Sequence, residues 1–210
     1  MSKKPSKAFA DHVAPYDRAA ATRVAEYDGI DPVQTYKSLL PHLPPKGATV
    51  LDVGAGSGRD ALWFETLGYH VVAIEPSPAF RAVIADKAQR GAGRIQVRDG
   101  MLPDLSTLKK SEAFDLIVLG AVWQHVPPKS RKDAFNKMAS HLKPGGVIYL
   151  SLREGPVPVD RKMYRVSAAA ATRMARAQGL SVVALENGEA ADLLRRGGVR
   201  WTSFAARKPR

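Results

Sequence analysis

The sequence predicts an α/β fold. It is a single doubly wound sheet, mostly parallel, with an antiparallel hairpin at its final edge and a helical cap ahead of its first strand. Three observations carry this. Short β-branched runs alternate with stretches of helical spacing from residue 46 onward, the rhythm of crossovers in a parallel sheet. A glycine-rich turn, Gly54-Ala55-Gly56-Ser57-Gly58, directly follows the first of these runs. The 210 residues are 45% apolar and 25% charged, the composition of a folded chain able to bury a large core.

The elements follow in order. Residues 1–7 read as a disordered basic tail. Residues 8–45 read as the cap, with helical stretches on either side of Asp31-Pro32. Residues 46–208 read as the core, and the whole of 1–210 as one domain. Thr49 to Val53 is the first strand, and helical spacing resumes at Ala61, Leu62, Phe64 and Leu67 until Gly68 stops it. His70 to Ile74 is the second strand. Ser77 then caps a helix through Phe80, Val83, Ile84 and Ala88, with Pro78 in its first turn. Arg94 to Val97 and Phe114 to Gly120 are the third and fourth strands. A helix over Ser130 to Leu142 is stopped by Lys143-Pro144-Gly145-Gly146, and Val147 to Leu152 is the fifth strand. Ser167 to Ala177 is an alanine-rich helix. Leu180 to Leu185 and Trp201 to Ala205 are the last strands, and their glycine-containing connection is too short for a crossover helix, which predicts a reversed strand.

The chemistry gathers where the first three strands end. Glycines at 54, 56 and 58 allow a tight turn and close approach of a ligand to the backbone. A doubly wound sheet binds ligands at the carboxyl ends of its strands. Asp52, Glu75 and Asp99 stand at the ends of successive strands, so three carboxylates are expected along one edge. Glu75 is placed to accept from both hydroxyls of a ribose, and Asp99 from an adenine amino group. The glycine spacing departs from the dinucleotide fingerprint, because the third fingerprint glycine falls at Arg59. That disfavours a nicotinamide-dependent oxidoreductase.

The chain resembles the class I S-adenosylmethionine-dependent methyltransferases. The resemblance rests on Val50-Leu51-Asp52-Val53-Gly54-Ala55-Gly56-Ser57-Gly58, Ala73-Ile74-Glu75-Pro76-Ser77, Val97-Arg98-Asp99, Phe114-Asp115-Leu116-Ile117-Val118 and Leu142-Lys143-Pro144-Gly145-Gly146, in the family's order over residues 48–152. The final strand pair resembles the family's reversed seventh strand. The resemblance implies a Rossmann-like core and S-adenosylmethionine as cofactor, with S-adenosylhomocysteine as product. It implies Asp52, Gly54 and Gly56 around the methionine and ribose, with Ala55 and Pro76 among the cofactor-binding residues. Glu75 then falls at the ribose hydroxyls, Asp99 at adenine, Gly100 and Met101 at the adenine ring, and Leu119 and Gly120 beside the sulfonium.

Methyl transfer from a sulfonium needs alignment above all, and a base only where the acceptor is protonated. Trp123-Gln124-His125 follows the fourth strand, where an acceptor would meet the methyl group. His125 is the candidate base, since histidine titrates at ~6.5. Trp123 is a candidate stacking surface for the acceptor. Tyr16 and Tyr27 of the cap, and Arg153, Arg161 and Arg165 after the fifth strand, are further candidates for the acceptor side.

Charge and absences narrow the partners. Lysine and arginine number 32 against 20 acids, and residues 152–210 hold 12 of the basic residues against 5 acids. Arginine forks suit carboxylates and phosphates, so an acidic substrate or a nucleic acid is implied. The lack of interleaved aromatics weakens a single-strand-binding reading, and nucleic acid is not the favoured partner. With no cysteine, disulfides, thiolate metal sites and cysteine nucleophiles are excluded, and no metal site is expected. Gly120-Ala121-Val122-Trp123 stands where nucleobase amino-methyltransferases carry an Asn/Asp-Pro-Pro-Tyr motif. No apolar run reaches membrane-spanning length and no secretory signal is seen, so a cytoplasmic protein is expected. The leading expectation is methyl transfer to oxygen or nitrogen of a small molecule. The alternatives are an RNA or protein methyltransferase, and a cofactor-binding partner subunit without turnover of its own.

Overall fold

The sheet sets the position of everything else. In the computed structural model, which describes residues 7–210, seven strands run in the order β3-β2-β1-β4-β5-β7-β6. They are β1 Thr49–Val53, β2 His70–Ile74, β3 Ile95–Arg98, β4 Phe114–Leu119, β5 Leu142–Glu154, β6 Ser181–Ala191 and β7 Arg200–Arg207. The first five pair in parallel. β7 runs antiparallel to both β5 and β6. The expected hairpin therefore closes the edge with its later strand inside: β7 is inserted next to β5, and β6 forms the border. Residues 1–6 of the expected tail lie outside the described residues.

The central strands are covered on both faces, as a parallel sheet requires. Alternate residues feed two cores. Leu51, Val53, Ile117, Leu119, Ile148 and Leu150 face one, packed with Phe135 and Met138 of α6 (Arg131–Ser140) and Ala171 and Ala175 of α7 (Ala168–Ala177). Val50, Leu116, Val118 and Tyr149 face the other, with Ala61 and Phe64 of α4 (Arg59–Thr66) and Ile84 of α5 (Pro78–Gln89).

Local chemistry starts the helices where the sequence indicates. Ser77 accepts from the Phe80 amide at 3.2 Å, and Ser167 from the Ala170 amide at 3.3 Å. Two boundaries differ from expectation. Lys143-Pro144-Gly145-Gly146 does not separate α6 from β5 but lies inside β5, as an irregularity opposite Phe114 and Leu116. It is held because the Gly145 amide reaches the carbonyls of Lys208 and Pro209 beyond β7. In the cap, the stretch before Asp31 divides into α1 (Lys7–Arg18) and α2 (Ala20–Asp28), and the stretch after it yields only α3 (Pro32–Thr35) and a 3-10 turn at Leu40–His42. Asp31 and Pro32 start α3, but Pro41, Pro44 and Pro45 deny the following residues the amides of a longer helix.

The cap is tied to the core through Asp17. Its carboxylate accepts from the Ser77 hydroxyl at 2.6 Å and the Ala79 amide at 3.0 Å, at the start of α5. These donors favour the ionised form and hold the Asp17 carboxyl below its ordinary value. A lowered carboxylate pKa makes the contact fully effective above the ordinary value of ~3.9, and the contact is lost as pH falls below that value through the lowered one. Replacing Asp17 by Ala should cost about 1 kcal/mol, as loss of a helix-capping oxygen does. It should lower the thermal midpoint by roughly 2–4 °C near neutral pH. The difference from the unaltered protein should vanish in melts taken at the acid end of the folded range.

Candidate functional site

The strand order reverses between β1 and β4, and the site forms at their carboxyl ends. The chain turns out of β1 at Gly54, whose φ is +74°. A Cβ there would lie 2.6 Å from a Val122 methyl, so glycine is required on both conformational and steric grounds. The Gly54 and Ala55 amides donate to the Ile74 carbonyl at 2.7 and 3.1 Å. The Gly56 amide donates to Glu75 Oε2 at 2.8 Å, while Glu75 Oε1 accepts from the Ser77 amide at 2.8 Å. One carboxylate thus joins the glycine turn to the loop after β2. Burial pushes the Glu75 carboxyl up to about 7, against the lowering pull of the two amides.

Behind the turn lie Asp52 and Asp60. Asp52 is buried with one carboxylate oxygen lacking a hydrogen-bond partner among the described residues. Burial first, then the negative field of Asp60, drives its carboxyl well above the usual range. Asp60 accepts from Nε and one terminal nitrogen of the Arg59 guanidinium, at 2.6 and 2.8 Å, and from the Tyr36 hydroxyl at 2.8 Å. Gly120 closes over this cluster. A Cβ on it would come 2.9 Å from Asp60 Oδ2. Ala121, the next residue, holds a φ of +58°, and its amide donates to the Ser151 hydroxyl at 2.7 Å. Left-handed backbone on a residue with a Cβ is uncommon and gathers at functional sites.

Opposite the glycine turn, three distant segments meet. Tyr16 of α1 lies 2.9 Å from His125 Nε2, and His125 Nδ1 lies 3.0 Å from the Lys162 carbonyl. A carbonyl only accepts, so Nδ1 carries the proton and the Nε2 lone pair receives the Tyr16 hydroxyl. Burial pushes the Tyr16 hydroxyl up to about 12. The Arg23 and Arg161 guanidinium carbons stand 5.4 and 5.8 Å from its ring centroid. Asp160 accepts from Arg23 at 2.8 Å and from Arg161 at 3.3 Å, which pins the segment after β5 to α2.

These groups enclose a cavity of about 220 Å³, lined among others by Tyr16, Tyr27, Gly54, Ala55, Gly56, Glu75, Pro76, Met101, Gly120, His125 and Arg153. A second chamber of about 680 Å³ shares Arg59, Gly120, Ala121, Arg196 and Trp201 with it. Most of the residues singled out from the sequence therefore meet in one place.

The exceptions have physical causes. Trp123 is 1% exposed and packs edge-on against Phe135, 6.3 Å between centroids, so it is a core residue and not an acceptor surface. It sits in a 3-10 turn, Trp123–His125. Residues two apart in such a turn point in different directions, and here only His125 of the two lines the cavity. Leu119 is fully buried in the core packed against α6 and α7, because alternation along β4 turns it away from the cavity. Asp52 lies behind the cavity wall. The Asp99 side chain is 64% exposed and bonds Arg81 at 2.9 Å, outside the cavity lining, since β3 is an edge strand and leaves it open to solvent. Gly100 next to it also stays outside the lining. Arg165 does not line the cavity either; its carbonyl accepts from Arg131.

Sequence reasoning missed the Arg59–Asp60–Tyr36 cluster, Gln124, and Arg196 with Trp201. The signals were faint: an adjacent Arg-Asp pair after the glycine turn, and Asp192 four residues before Arg196 ahead of Gly197-Gly198.

A crevice at the switch point of a parallel sheet, with a glycine turn held by a carboxylate on the next strand, is where doubly wound α/β folds bind ligands. Residues 50–146 match the family described as Methyltransferase domain. The chain is 29% identical over 148 residues to the ubiquinone biosynthesis O-methyltransferase of Xanthomonas axonopodis pv. citri, covering 67% of this chain and 61% of that protein. It is 31% identical over 141 residues to a methyltransferase of Mycobacterium leprae, covering 65% of this chain and 50% of that protein. The chain thus spans about half to six tenths of the length of these curated relatives. Among solved structures it resembles the Burkholderia thailandensis 1,6-didemethyltoxoflavin N1-methyltransferase, crystallised with 1,6-didemethyltoxoflavin and S-adenosylhomocysteine. The TM-score is 0.70 and the identity 21%, over 100% of this chain and 94% of that one. It also resembles the Haemonchus contortus phosphoethanolamine N-methyltransferase 2, with a TM-score of 0.74 and 17% identity over 100% of this chain and 61% of that one. Residues 50–146 are thus similar to the methyltransferase-domain family, and the fold is that of solved methyltransferases.

The glycine turn supplies a direct test of the site's geometry. Gly54→Ala places a methyl group against Val122 and forces a left-handed φ, and should cost about 1–3 kcal/mol. Adding Val122→Ala removes the clash but not the backbone strain. The double variant should therefore recover part of the loss in thermal midpoint, and full recovery would show that only the clash mattered.

Proposed function

We propose that the protein is an S-adenosylmethionine-dependent methyltransferase acting on oxygen or nitrogen of a small-molecule acceptor. The observation that carries this reading is the single cavity bounded on one side by the Glu75-held glycine turn and on the other by the Tyr16–His125 pair. In this reading residues 8–45 and 46–208 act as one unit, the cap supplying Tyr16.

The residues present fit the cofactor. Glu75 offers carboxylate oxygens to ribose hydroxyls, and Gly54 and Gly56 let a ligand lie against the backbone. Phe80, Met101 and Leu102 give an apolar wall for adenine. When bound, S-adenosylmethionine supplies a methyl group activated on sulfonium.

The chain's own residues then orient the acceptor, exclude water and take up the proton that methylation releases. The Tyr16 hydroxyl donates to His125 Nε2, so a proton arriving at the Tyr16 oxygen can be passed on as the Tyr16 proton moves to His125. A hydroxyl pushed up to about 12 does not rest as phenolate at neutral pH, which makes Tyr16 the conduit and His125 the base. The Lys162 carbonyl holds the imidazole in the required tautomer.

A small acceptor is favoured by the enclosure. Tyr16 of α1 bonds His125 and Arg23 of α2 bonds Asp160, so the cap is tied to the segments that flank the cavity. Three arginines of the basic C-terminal third, Arg153, Arg161 and Arg196, line the inside of the site. The relatives named for ubiquinone biosynthesis and for a toxoflavin precursor methylate small molecules by name, which supports the same reading.

Thermal melts with S-adenosylhomocysteine and NAD in parallel are the first test. Ligand at 100 times its dissociation constant adds about 2.7 kcal/mol, and the reading expects the adenosyl ligand alone to act. A response to NAD alone would overturn it. Tyr16→Phe and His125→Asn should keep that response while lowering turnover about 10²-fold or more in an acceptor screen that follows S-adenosylhomocysteine release. Retention of full turnover by both would remove the pair from the mechanism. Binding without turnover of any acceptor would instead favour a partner subunit.

Glu75 makes a separate prediction. Its folded value of about 7 lies above the ordinary ~4.3. The bare protein therefore loses stability through Glu75 as pH rises from ~4.3 to about 7. Hydroxyl donors favour the ionised form, so S-adenosylhomocysteine should bind more tightly as pH rises from 6 to 8 and should release protons on binding. Calorimetry in buffers of different ionisation enthalpy measures that release, and Glu75→Gln should abolish it.

A further inference from the structure

We propose that Arg153, flanked by Arg161 and Arg196, is the anion-binding subsite of the acceptor pocket, so that the acceptor carries a carboxylate or phosphate. The inference rests on the methyltransferase reading and adds the acceptor's chemical class.

Arg153 ends β5, paired in register with Trp201. It is 6% exposed and lines the cavity. One terminal nitrogen donates to the Pro156 carbonyl at 2.8 Å, whereas Nε is buried with no partner among the described residues. A buried cation is costly unless it is paired. No carboxylate pairs with Arg153 among the described residues, and the nearby acids are committed. Glu75 holds the amides of Gly56 and Ser77. Asp60 holds Arg59 and Tyr36. Asp192 accepts from Arg196 Nε at 2.8 Å and from Trp201 Nε1 at 2.9 Å.

The neighbours add to the imbalance. Arg161 shares Asp160 with Arg23, so two guanidinium groups draw on one carboxylate. Burial, then the fields of Arg196 and Arg161, holds the Arg153 guanidinium below its usual value. A planar fork with an unpartnered Nε, in a wall where Arg23, Arg153, Arg161 and Arg196 outnumber Asp160 and Asp192, matches the oxygens of an anionic group. The cofactor has an anion of its own in the methionine carboxylate, so the test must separate it from the acceptor's.

The probes are inorganic phosphate and benzoate, with chloride and benzamide as controls at constant ionic strength. Each is titrated by calorimetry into the full chain, with and without S-adenosylhomocysteine. The proteins are the unaltered chain, Arg153→Met, Arg153→Lys and the exposed-site control Arg173→Met. Phosphate or benzoate should bind the S-adenosylhomocysteine-loaded chain. Binding should weaken about tenfold or more in Arg153→Met, less in Arg153→Lys, and not at all in Arg173→Met. S-adenosylhomocysteine affinity should stay unchanged in Arg153→Met. Should that variant fail to fold, Arg153→Lys carries the comparison, since it keeps the charge and loses the fork.

Three results overturn the proposal: neither anion binds the loaded chain, binding survives intact in Arg153→Met, or the substitution weakens S-adenosylhomocysteine and the anions displace it. The last would give Arg153 to the cofactor's carboxylate. Anion binding through Arg153 in a chain that ignores S-adenosylhomocysteine would leave the subsite standing and remove the methyltransferase reading instead.

Discussion

The Glu75 carboxylate is where the site is assembled. Its two oxygens accept amides from Gly56 and Ser77, residues from the loops after β1 and β2. That bridge joins the Gly54 and Ala55 amide bonds to the Ile74 carbonyl in fixing the glycine turn against the end of β2, and it ties the turn to the N-terminus of α5. The cap depends on it in turn, since Asp17 docks on Ser77 and Ala79. Tyr16, which meets His125, is the residue before Asp17. The position of the Tyr16–His125 pair therefore follows from the turn after β1 through a short chain of bonds. The cost of the arrangement is visible in Glu75, whose carboxyl is pushed up to about 7 by the burial that the bridge requires.

How much of this the sequence disclosed depends on whether the information was local. Strand positions, the Ser77 and Ser167 caps and the glycine turn are properties of a few adjacent residues, and each was legible. The bulge at Pro144-Gly145-Gly146 was not, because its stability comes from Lys208 and Pro209, some sixty residues away. The same distinction runs through the site. Glu75 and Gly54 follow from their place at strand ends. The direction of Trp123 follows from a single 3-10 turn that the apolar run before it conceals. Asp99 was read correctly as ending β3, but β3 is an edge strand, and at an edge a carboxylate finds Arg81 and solvent rather than the cavity.

The cap shows a third case. Tyr16 was recognisable as a candidate, yet nothing near it in the sequence names His125 as its partner. The pair joins residues 109 positions apart, and the Lys162 carbonyl that fixes the imidazole belongs to yet another segment. Such a constellation costs loop-closure entropy and becomes rigid only when all its segments are docked. The Arg23–Asp160 bond, joining α2 to the segment after β5, supplies the closure on the far side.

The cavity's electrostatics explain why its walls do not simply neutralise each other. On one side lies Glu75, raised because burial opposes its charge. On the other lies Arg153, lowered because burial and two neighbouring arginines oppose its charge. A direct pairing across the cavity would relieve both and would fill the space. It does not occur because each group is held back by its own backbone partners: Gly56 and Ser77 for Glu75, the Pro156 carbonyl for Arg153. Two strained walls of opposite sign suit a ligand set with donors on one side and an anion on the other. Occupancy of both removes unfavourable burial that the empty fold must carry. Ligands that bind only the folded chain stabilise it by RT times the logarithm of one plus the ratio of free ligand to its dissociation constant. On the proposed function the cofactor and the acceptor each relieve a different wall, so their effects on stability should be close to additive unless the Tyr16–His125 pair between the walls couples them.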